Sequence, residues 1–221
     1  MAISCEYDDW DWSRLCDRAS FELGALAQSR AWVRFDRSTR IGATHGIEDS
    51  VHVGSGGTIV ATAADIGRWF DSCPPEVVAV FDAGANVLPL HALVEAARSE
   101  RKQDLREVVV AFDPLGAWAT DGLLPASLND LFEEARALEP LICISTLPYH
   151  GAGCDASQEL AFAIATAAEY LRELCGGDGP TKSAGLTFRV SVSADVFPEI
   201  AKLRALRLLF AKLAGAFEHR E

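Results

Sequence analysis

Residues 141–175 read LICISTLPYHGAGCDASQELAFAIATAAEYLRELC and carry a strand, a loop and a helix in succession. The apolar run at 141–146 has the length and the β-branched content of a buried strand. After the loop, apolar side chains recur at i, i+3 and i+4 over 155–175, which predicts an amphipathic helix packed on the sheet. This stripe consists of Leu160, Ile164, Ala167, Leu171 and Leu174. The segment is therefore predicted to be one βα unit.

The same alternation of short apolar runs and longer helical patterns extends along the chain. Strands are predicted near 9–15, 31–35, 77–81, 108–112, 141–146 and 186–192, and helices over 17–29, 63–71, 88–101, 127–138, 155–175 and 197–217. Strands that alternate with helices indicate βαβ units and a parallel sheet. We therefore predict an α/β fold of about six βα units in a single domain covering residues 1–221.

The last predicted helix has an apolar side and a charged side. We expect it to bury Ile200, Leu203, Leu206, Leu209 and Leu213. Its basic residues fall mostly on its other faces and are Lys202, Arg204, Arg207 and Lys212. This pattern favours a solvated surface over a binding role.

Composition excludes several classes of partner. Lys and Arg number 20 against 32 Asp and Glu, a formal net charge of −12 that repels phosphate backbones and anionic lipid surfaces. Residues 1–17 are acidic and lack the apolar core of a secretory signal, and no segment approaches the ~20 apolar residues that span a bilayer. The six cysteines form no CxxC pair, which is typical of reduced thiols. We expect a soluble, cytoplasmic protein without nucleic-acid or membrane partners.

Three other kinds of site have little support in the sequence. Gly54, Gly56 and Gly57 fit a turn better than a phosphate cradle, because neither a Walker lysine nor GxGxxG spacing accompanies them. The histidines lie in separate predicted units, which disfavours a metal site, and the GxSxG motif of a hydrolase is missing.

Two long stretches carry a resemblance to a known family. Residues 147–163, LPYHGAGCDASQELAFA, lead on to EYLR at 169–172, and together they resemble the YHxAGAxxxQELAxALAxxxEYLR run of the methylmalonyl-CoA mutase family. Residues 188–209, FRVSVSADVFPEIAKLRALRLL, are similar to that family's F(R/F)xxxxxxFFxEIAKLRAxRLLW segment, with Phe210 in place of the usual Trp. Shorter matches lie upstream: DPLGA at 113–117, VFDAGA at 80–85 and WDWSR at 10–14. These matches resemble the small, non-catalytic subunit type.

The resemblance implies a fold. The family's substrate domain is an eight-stranded (β/α) barrel of the TIM type, with its active site at the C-terminal ends of the strands and the pantetheine arm of an acyl-CoA along its axis. A separate flavodoxin-like domain holds adenosylcobalamin. We expect this chain to be an incomplete barrel of about six of eight units, truncated at the C-terminus and without a cobalamin-binding domain. Six strands alone would expose an edge and an apolar interior.

The resemblance also implies site residues. In catalytic subunits the histidine of the YH pair hydrogen-bonds the thioester carbonyl of the substrate, which makes His150 the candidate catalytic residue here. The alternative is that His150 only caps a βα loop. Tyr149, Asp113 and Arg189 are the candidate substrate-binding residues.

Three positions depart from the catalytic type. Leu15 stands where catalytic subunits carry a tyrosine, and the apolar run 109–112 replaces the polar strand that reads TIQND. Asp121 lies near the place of an arginine that pairs with the substrate carboxylate, and a carboxylate there would repel a dicarboxylic acyl-CoA. These departures indicate the non-catalytic type.

The sequence thus predicts a component of an adenosylcobalamin-dependent acyl-CoA mutase that assembles with a catalytic chain and does no chemistry itself. The alternative is a competent mutase component that uses His150 once partner chains complete the barrel. No DxHxxG motif surrounds the THG at 44–46, so we expect adenosylcobalamin on a partner chain. The expected partners are a catalytic mutase subunit, a cobalamin-binding chain and an acyl-CoA. An unrelated barrel enzyme or a free-standing acyl-CoA binder also stays open.

Overall fold

A computed structural model describes residues 4–6, 30–41, 56–72, 77–101, 108–175 and 186–218. Within these residues six strands form one sheet, and neighbouring strands in the chain pair in parallel. The strands are β1 (Ser4–Glu6), β2 (Arg30–Arg34), β3 (Val78–Asp82), β4 (Val108–Phe112), β5 (Leu141–Ser145) and β6 (Leu186–Arg189). Sequential order in an all-parallel sheet is the topology of a (β/α) barrel. The fold is therefore α/β, a partial TIM-barrel-like domain.

Eight helices are present in the described part of the chain. They are α1 (Arg37–Arg40), α2 (Ala63–Ser72), α3 (Val87–Glu100), α4 (Pro114–Asp121), α5 (Leu128–Arg136), α6 (Leu147–Gly151), α7 (Ala156–Cys175) and α8 (Val196–Glu218). Both α4 and α6 start with proline in the first turn, where its missing N–H costs nothing. None of these helices is both long and apolar enough to cross a membrane.

The predicted elements from residue 31 onward are confirmed within a few residues of their ends. The strand predicted at 108–112 has those bounds, and the one predicted at 186–192 ends earlier, at Arg189. The strand predicted near 9–15 and the helix predicted over 17–29 lie outside the described residues. Sequence periodicity missed the short helices α1, α4 and α6, because one or two turns give too few repeats to detect.

The glycine turn predicted at 54–57 is described at its second half. Gly57 lies where Thr58 forms a parallel bridge with Phe35. A Cβ on Gly57 would come within 2.5 Å of the Phe35 backbone carbonyl carbon, so only glycine lets the two segments pair. The structure therefore explains why glycine is needed at position 57 of the predicted turn.

The sheet separates two apolar layers. Its outer face packs against the helices, with Val33, Phe81, Phe112 and Ile144 among the buried side chains and Tyr170 of α7 in the same cluster. The inner face carries a smaller cluster, consisting of Trp32, Val80, Ala111 and Cys143. These inner side chains are at most 5% exposed. The expectation of an exposed apolar interior is therefore wrong at these four positions.

The sheet is strongly curled. Arg189 at the end of β6 holds its guanidinium carbon 4.9 Å from the ring centroid of Trp32 on β2. In a flat sheet these strands, four spacings apart, would be separated by about 19 Å. That distance is too large for an arginine and a tryptophan side chain to meet, so the inner face must be concave.

Helix α8 differs from its prediction. Ile200 and Leu209 were expected to be buried but are 49% and 42% exposed, whereas Lys202, expected on a solvated face, is buried. The cause lies on the neighbouring helix, because Glu159 of α7 is also buried and binds the Lys202 ammonium. Lys202 is therefore buried together with its ion-pair partner, on the same helix as the buried Leu206.

Candidate functional site

A cavity of about 350 Å³ lies at the C-terminal ends of the strands. Its walls combine charged residues with small ones, and the polar members are Arg34, Arg40, Asp82, Asp113, Thr120, Ser145 and Arg189. Arg34, Asp82, Ser145 and Arg189 are the last residues of their strands, and Asp113 follows β4 directly. This is the end of a parallel barrel that forms active sites.

Arg189 crosses the concave face of the sheet. Its Nη1 donates to Oδ2 of Asp82 at 3.1 Å, and the two side chains are 11% and 17% exposed. The guanidinium also lies over the Trp32 ring, a cation–π contact. Arg189, a predicted substrate-binding residue, thus lines the cavity but is engaged by the protein itself.

Asp113, the second predicted substrate-binding residue in the cavity, is held by three donors. Oδ1 accepts from the Tyr170 hydroxyl at 2.6 Å and from the Gly116 N–H at 3.1 Å, and Oδ2 accepts from the Ser145 N–H at 2.9 Å. The Gly116 contact makes Asp113 the N-cap of α4. Most of the acceptor capacity of this carboxylate is therefore used within the protein.

Burial raises the pKa of Asp113 from 3.8 to about 6, against the lowering effect of its three hydrogen bonds. The charge of Asp82 raises it further. The Tyr170 hydroxyl accepts from the Leu115 N–H at 2.9 Å while it donates to Asp113. Burial, and then the Asp113 charge, raises the pKa of Tyr170 well above its ordinary value, so this phenol stays a donor.

A second ion pair borders the cavity. Arg40 of α1 donates to both carboxylate oxygens of Asp121, from Nε at 3.2 Å and from Nη2 at 2.8 Å. Both side chains are at least 95% buried. Arg40 also donates to the Phe35 carbonyl, and Arg37 donates to the Asp121 carbonyl. The Asp121 carboxylate is therefore bound by the Arg40 guanidinium through two hydrogen bonds.

Tyr149 and His150, the other two predicted site residues, do not line this cavity. The Tyr149 ring stacks on Phe162 of α7 with centroids 4.2 Å apart and planes 9° apart. Burial raises the pKa of Tyr149, and a hydrogen bond with Thr166 partly offsets that effect. Tyr149 is thus packed against a helix on the outer layer.

His150 lies at the end of α6, where it faces two buried residues. Its Nδ1 is 2.5 Å from Oε1 of Glu159, and Oε2 of Glu159 is 3.0 Å from Nζ of Lys202. The His150 side chain is 45% exposed, while those of Glu159 and Lys202 are nearly inaccessible. The imidazole therefore contacts a buried carboxylate on one side, while nearly half of the side chain is exposed.

The structure thus divides the four predicted site residues. Asp113 and Arg189 meet in the cavity, whereas Tyr149 and His150 pack toward α7, and the roles of all four stay predictions. Sequence reasoning missed the residues that contact three of them, namely Asp82, Tyr170 and Glu159, and it missed Arg40, which pairs with Asp121 in the cavity wall. Only weak sequence patterns indicated two of these residues. Asp82 follows an apolar run as Asp113 does, and Tyr170 lies next to the apolar stripe of α7.

The described residues offer no cluster of three or more His, Cys, Asp or Glu side chains that could hold a metal ion. Their histidines are His91 and His150. His91 lines a cleft beside the first residues of β4 and β5, at the end of the sheet opposite the cavity. Neither histidine lies in the wall of the cavity.

Comparison with known proteins gives a consistent result. The family model described as methylmalonyl-CoA mutase matches residues 21–221. A methylmalonyl-CoA mutase small subunit from Streptomyces virginiae is 37% identical over 67% of this chain and 25% of its own length. The small subunit of Propionibacterium freudenreichii subsp. shermanii is 32% identical over 64% of this chain and 23% of its own. The large subunit of Streptomyces virginiae is 30% identical over 88% of this chain and 29% of its own. The chain spans about a quarter of the length of these relatives.

Proposed function

The chain belongs to the methylmalonyl-CoA mutase family, and from this membership we propose that it is a non-catalytic subunit that pairs with a catalytic mutase chain. Members of this family depend on adenosylcobalamin and rearrange acyl-CoA esters. In the proposed complex the partner chain brings the cofactor and carries out the chemistry. This chain contributes a folded barrel surface.

One observation carries the proposal: two arginines in the wall of the cavity are paired with carboxylates of this same chain. Arg189 is engaged by Asp82 across the concave face, and Arg40 is engaged by Asp121. A catalytic site would need such guanidinium groups to face the ligand, because recognition of an anionic acyl group requires a fixed cation. Here each of these two cations already has a carboxylate partner.

The position of Asp121 supports the same interpretation. The resemblance puts the arginine that binds the substrate carboxylate in catalytic subunits near this residue. Asp121 is 4% exposed and accepts the Arg40 fork. An arginine in place of Asp121 would leave the buried Arg40 without its carboxylate. Removing one partner of a buried ion pair costs about 3 kcal/mol or more.

The inner strand β4 supports it as well. Ala111, on the inner face of β4, stands where catalytic subunits carry a polar group, and it is buried. Apolar side chains cannot orient a carboxylate. The similarity to two small subunits, at 37% and 32% identity, supports the small-subunit type independently of this strand.

A second candidate function is a competent mutase component that uses His150. It is favoured by the contact of His150 with buried Glu159, since a solvated loop histidine has no need of a fixed carboxylate partner. In that case the imidazole would bind the thioester of an acyl-CoA after a partner chain completes the site.

One experiment separates the two functions. The chain is co-expressed with a large-type catalytic subunit, the complex is purified, and turnover of methylmalonyl-CoA is measured with added adenosylcobalamin. We expect co-purification, and turnover of the His150→Ala complex within about twofold of the wild type. A loss of 100-fold or more, the scale of a lost acid–base group, would support the second function and overturn the first.

His91→Ala is the matched control, because His91 lies at the opposite end of the sheet. Its complex should retain full turnover in either case. Failure of the two chains to co-purify would contradict the proposed pairing itself.

A further inference from the structure

Helix α8 has apolar side chains on two opposite sides. Its inner side packs on α7 and β6, where Lys202 pairs with Glu159 and the Phe210 ring lies 5.0 Å from the Phe188 ring. On its outer side, exposed apolar residues recur at spacings of three and four, so they share one face of the helix. This row, called the α8 stripe below, consists of Phe197, Ile200, Ala201, Leu208 and Ala211.

The exposure of the α8 stripe is unusual for a surface helix. Phe197 is 85% and Leu208 66% exposed. The outer side of a surface helix is normally polar, whereas a helix that is apolar all round is buried in protein or spans a membrane. None of the described helices could cross a membrane. We therefore expect a further protein surface to cover the α8 stripe.

The charges on the outer side of α8 indicate what that surface carries. Arg204 lies within the stripe, seven residues after Phe197 and seven before Ala211, and the exposed Arg207 and Lys212 flank it. The one carboxylate between residues 196 and 217 is Glu199, which is buried and paired with Lys202. The outer side of α8 is thus positive in a chain of net charge −12. A surface that carries carboxylates complements it.

A second copy of this chain is a poor match for the α8 stripe. In a two-fold contact the same surface meets itself. Two antiparallel stripes would therefore bring their Arg204 side chains together at the middle, where like charges oppose binding. The stripe itself offers no carboxylate to separate them. Its charge therefore favours a different chain.

An anionic membrane surface is a poor match for a different reason. A helix with apolar and basic side chains can lie on such a surface. The net charge of −12 opposes this, because the chain as a whole is repelled by anionic lipid. A protein partner fits both the local and the total charge.

We propose that the α8 stripe binds the catalytic mutase chain, through an apolar surface of that chain that carries a carboxylate opposite Arg204. This inference rests on the proposed function, because it names the surface through which the two chains pair. Burial of the apolar side chains supplies affinity, and the carboxylate facing Arg204 orients the partner.

Two substitutions test the stripe in the complex with a large-type catalytic subunit. Phe197→Asp and Leu208→Asp each place a carboxylate in the apolar contact, at positions whose exposure lets the isolated chain keep its fold. Isothermal titration calorimetry at one salt concentration gives the Kd, and thermal unfolding of each isolated variant checks the fold. We expect each folded variant to raise the Kd at least about tenfold, because the new charge must lose its water on binding. A smaller rise in a folded variant would overturn the proposal.

Leu88→Asp is the matched control, since Leu88 is an exposed leucine of another helix, α3. It should leave the Kd within about threefold of the wild type. A rise as large as that of Leu208→Asp would contradict a specific role for the stripe.

Charge reversal tests the part played by Arg204. Arg204→Glu should raise the Kd at least about tenfold, because two carboxylates would then face each other in the contact. Arg68→Glu reverses an exposed arginine of α2 and should change the Kd no more than about threefold. Equal effects of the two reversals would show that only the total charge matters, and would overturn the pairing with Arg204.

Two further measurements address the other occupants. Light scattering of the isolated chain detects a dimer, and flotation with vesicles of phosphatidylserine and phosphatidylcholine detects membrane binding. A dimer or vesicle binding that is lost in Leu208→Asp would assign the stripe to that occupant and overturn the proposal. We expect neither.

The outcomes separate this inference from the proposed function. Wild-type chains that bind each other as tightly as the stripe variants do would overturn the α8 stripe as the contact and leave the proposed pairing in place. Wild-type chains that do not bind would overturn both.

Discussion

Arg189 at the end of β6 binds Asp82 at the end of β3, with 3.1 Å between Nη1 and Oδ2. The two strands are not neighbours, because β4 and β5 lie between them. The ion pair therefore links the two sides of the concave face, and the contact of Arg189 with Trp32 extends the link to β2. Backbone pairing alone sets only the spacing of adjacent strands. The cross-sheet pair thus adds a constraint on the curl.

We predict that Arg189→Met lowers the free energy of unfolding by about 2–3 kcal/mol. The substitution leaves the Asp82 carboxylate largely buried without its cation, which is the costly way to break such a pair. Asp82→Asn added to Arg189→Met should recover part of the loss, since no lone charge then remains. Equilibrium urea unfolding measures each value.

Arg172→Met is the control for that series. Arg172 pairs with Glu169 one helical turn away, and both side chains are about half exposed. Its loss should cost no more than about 0.5 kcal/mol. Equal costs for Arg189→Met and Arg172→Met would show that the cross-sheet pair adds nothing to stability.

The raised pKa of Asp113 predicts a pH dependence of stability. The folded state holds the Asp113 proton more tightly than the unfolded chain, with a pKa of about 6 against 3.8. The stabilising contribution is therefore complete below pH 3.8 and is lost as the pH rises through 6. A shift from 3.8 to about 6 corresponds to about 3 kcal/mol.

Asp113→Asn isolates this contribution, because the amide does not titrate while the remaining carboxylates respond as before. Unfolding free energies of both proteins should be measured between about pH 4 and about pH 7. The wild type should lose about 2.5 kcal/mol relative to the variant over this range, slightly less than the full contribution because Asp113 of the unfolded chain is already partly ionised at the lower limit. A constant difference between the two proteins would contradict a raised pKa for Asp113.

The strands and the longer helices from residue 31 onward could be predicted because their apolar residues form runs or regularly spaced stripes. The position of the cavity agrees with what the family resemblance implied, because the active sites of (β/α) barrels lie at the C-terminal ends of the strands. The proline at 114, directly after an Asp that can cap a helix, could also have predicted α4.

The partners of the site residues could not be predicted. Arg40 and Asp121 are separated by 81 residues, and no local pattern indicates that they meet. Lys202 looked solvated because its helix is rich in basic residues, whereas its burial depends on Glu159 of another helix. Ile200 and Leu209 were predicted to be buried because periodicity identifies the apolar face of a helix. It does not show whether another element covers that face.

Gly116 should not tolerate a side chain. A Cβ at this position would overlap the Asp113 carboxylate that caps α4. We predict that Gly116→Ala destabilises the protein by about 1–3 kcal/mol, because the carboxylate must move away from the Tyr170 and Ser145 donors. Thermal and urea unfolding measure the change.

Gly215→Ala is the matched substitution for Gly116→Ala. Gly215 lies inside α8, and no atom lies within 4 Å of the place that a Cβ would occupy, so alanine there should stabilise the helix by about 0.5–1 kcal/mol. The two Gly→Ala changes are thus expected to have opposite signs. A stabilising Gly116→Ala would show that Asp113 has room to adjust.

Glu139 is the one described residue other than glycine with a positive φ, at 45°. This conformation costs an L-residue about 1–2 kcal/mol, whereas glycine adopts it freely at a backbone entropy cost of roughly 0.5–1 kcal/mol. Glu139→Gly should therefore stabilise the protein by about 0.5 kcal/mol, as measured by urea unfolding. Glu134→Gly, at an exposed position inside α5, should instead destabilise by about 1 kcal/mol. Because both changes remove the same side chain, losses of equal size would mean that the backbone at Glu139 carries no strain.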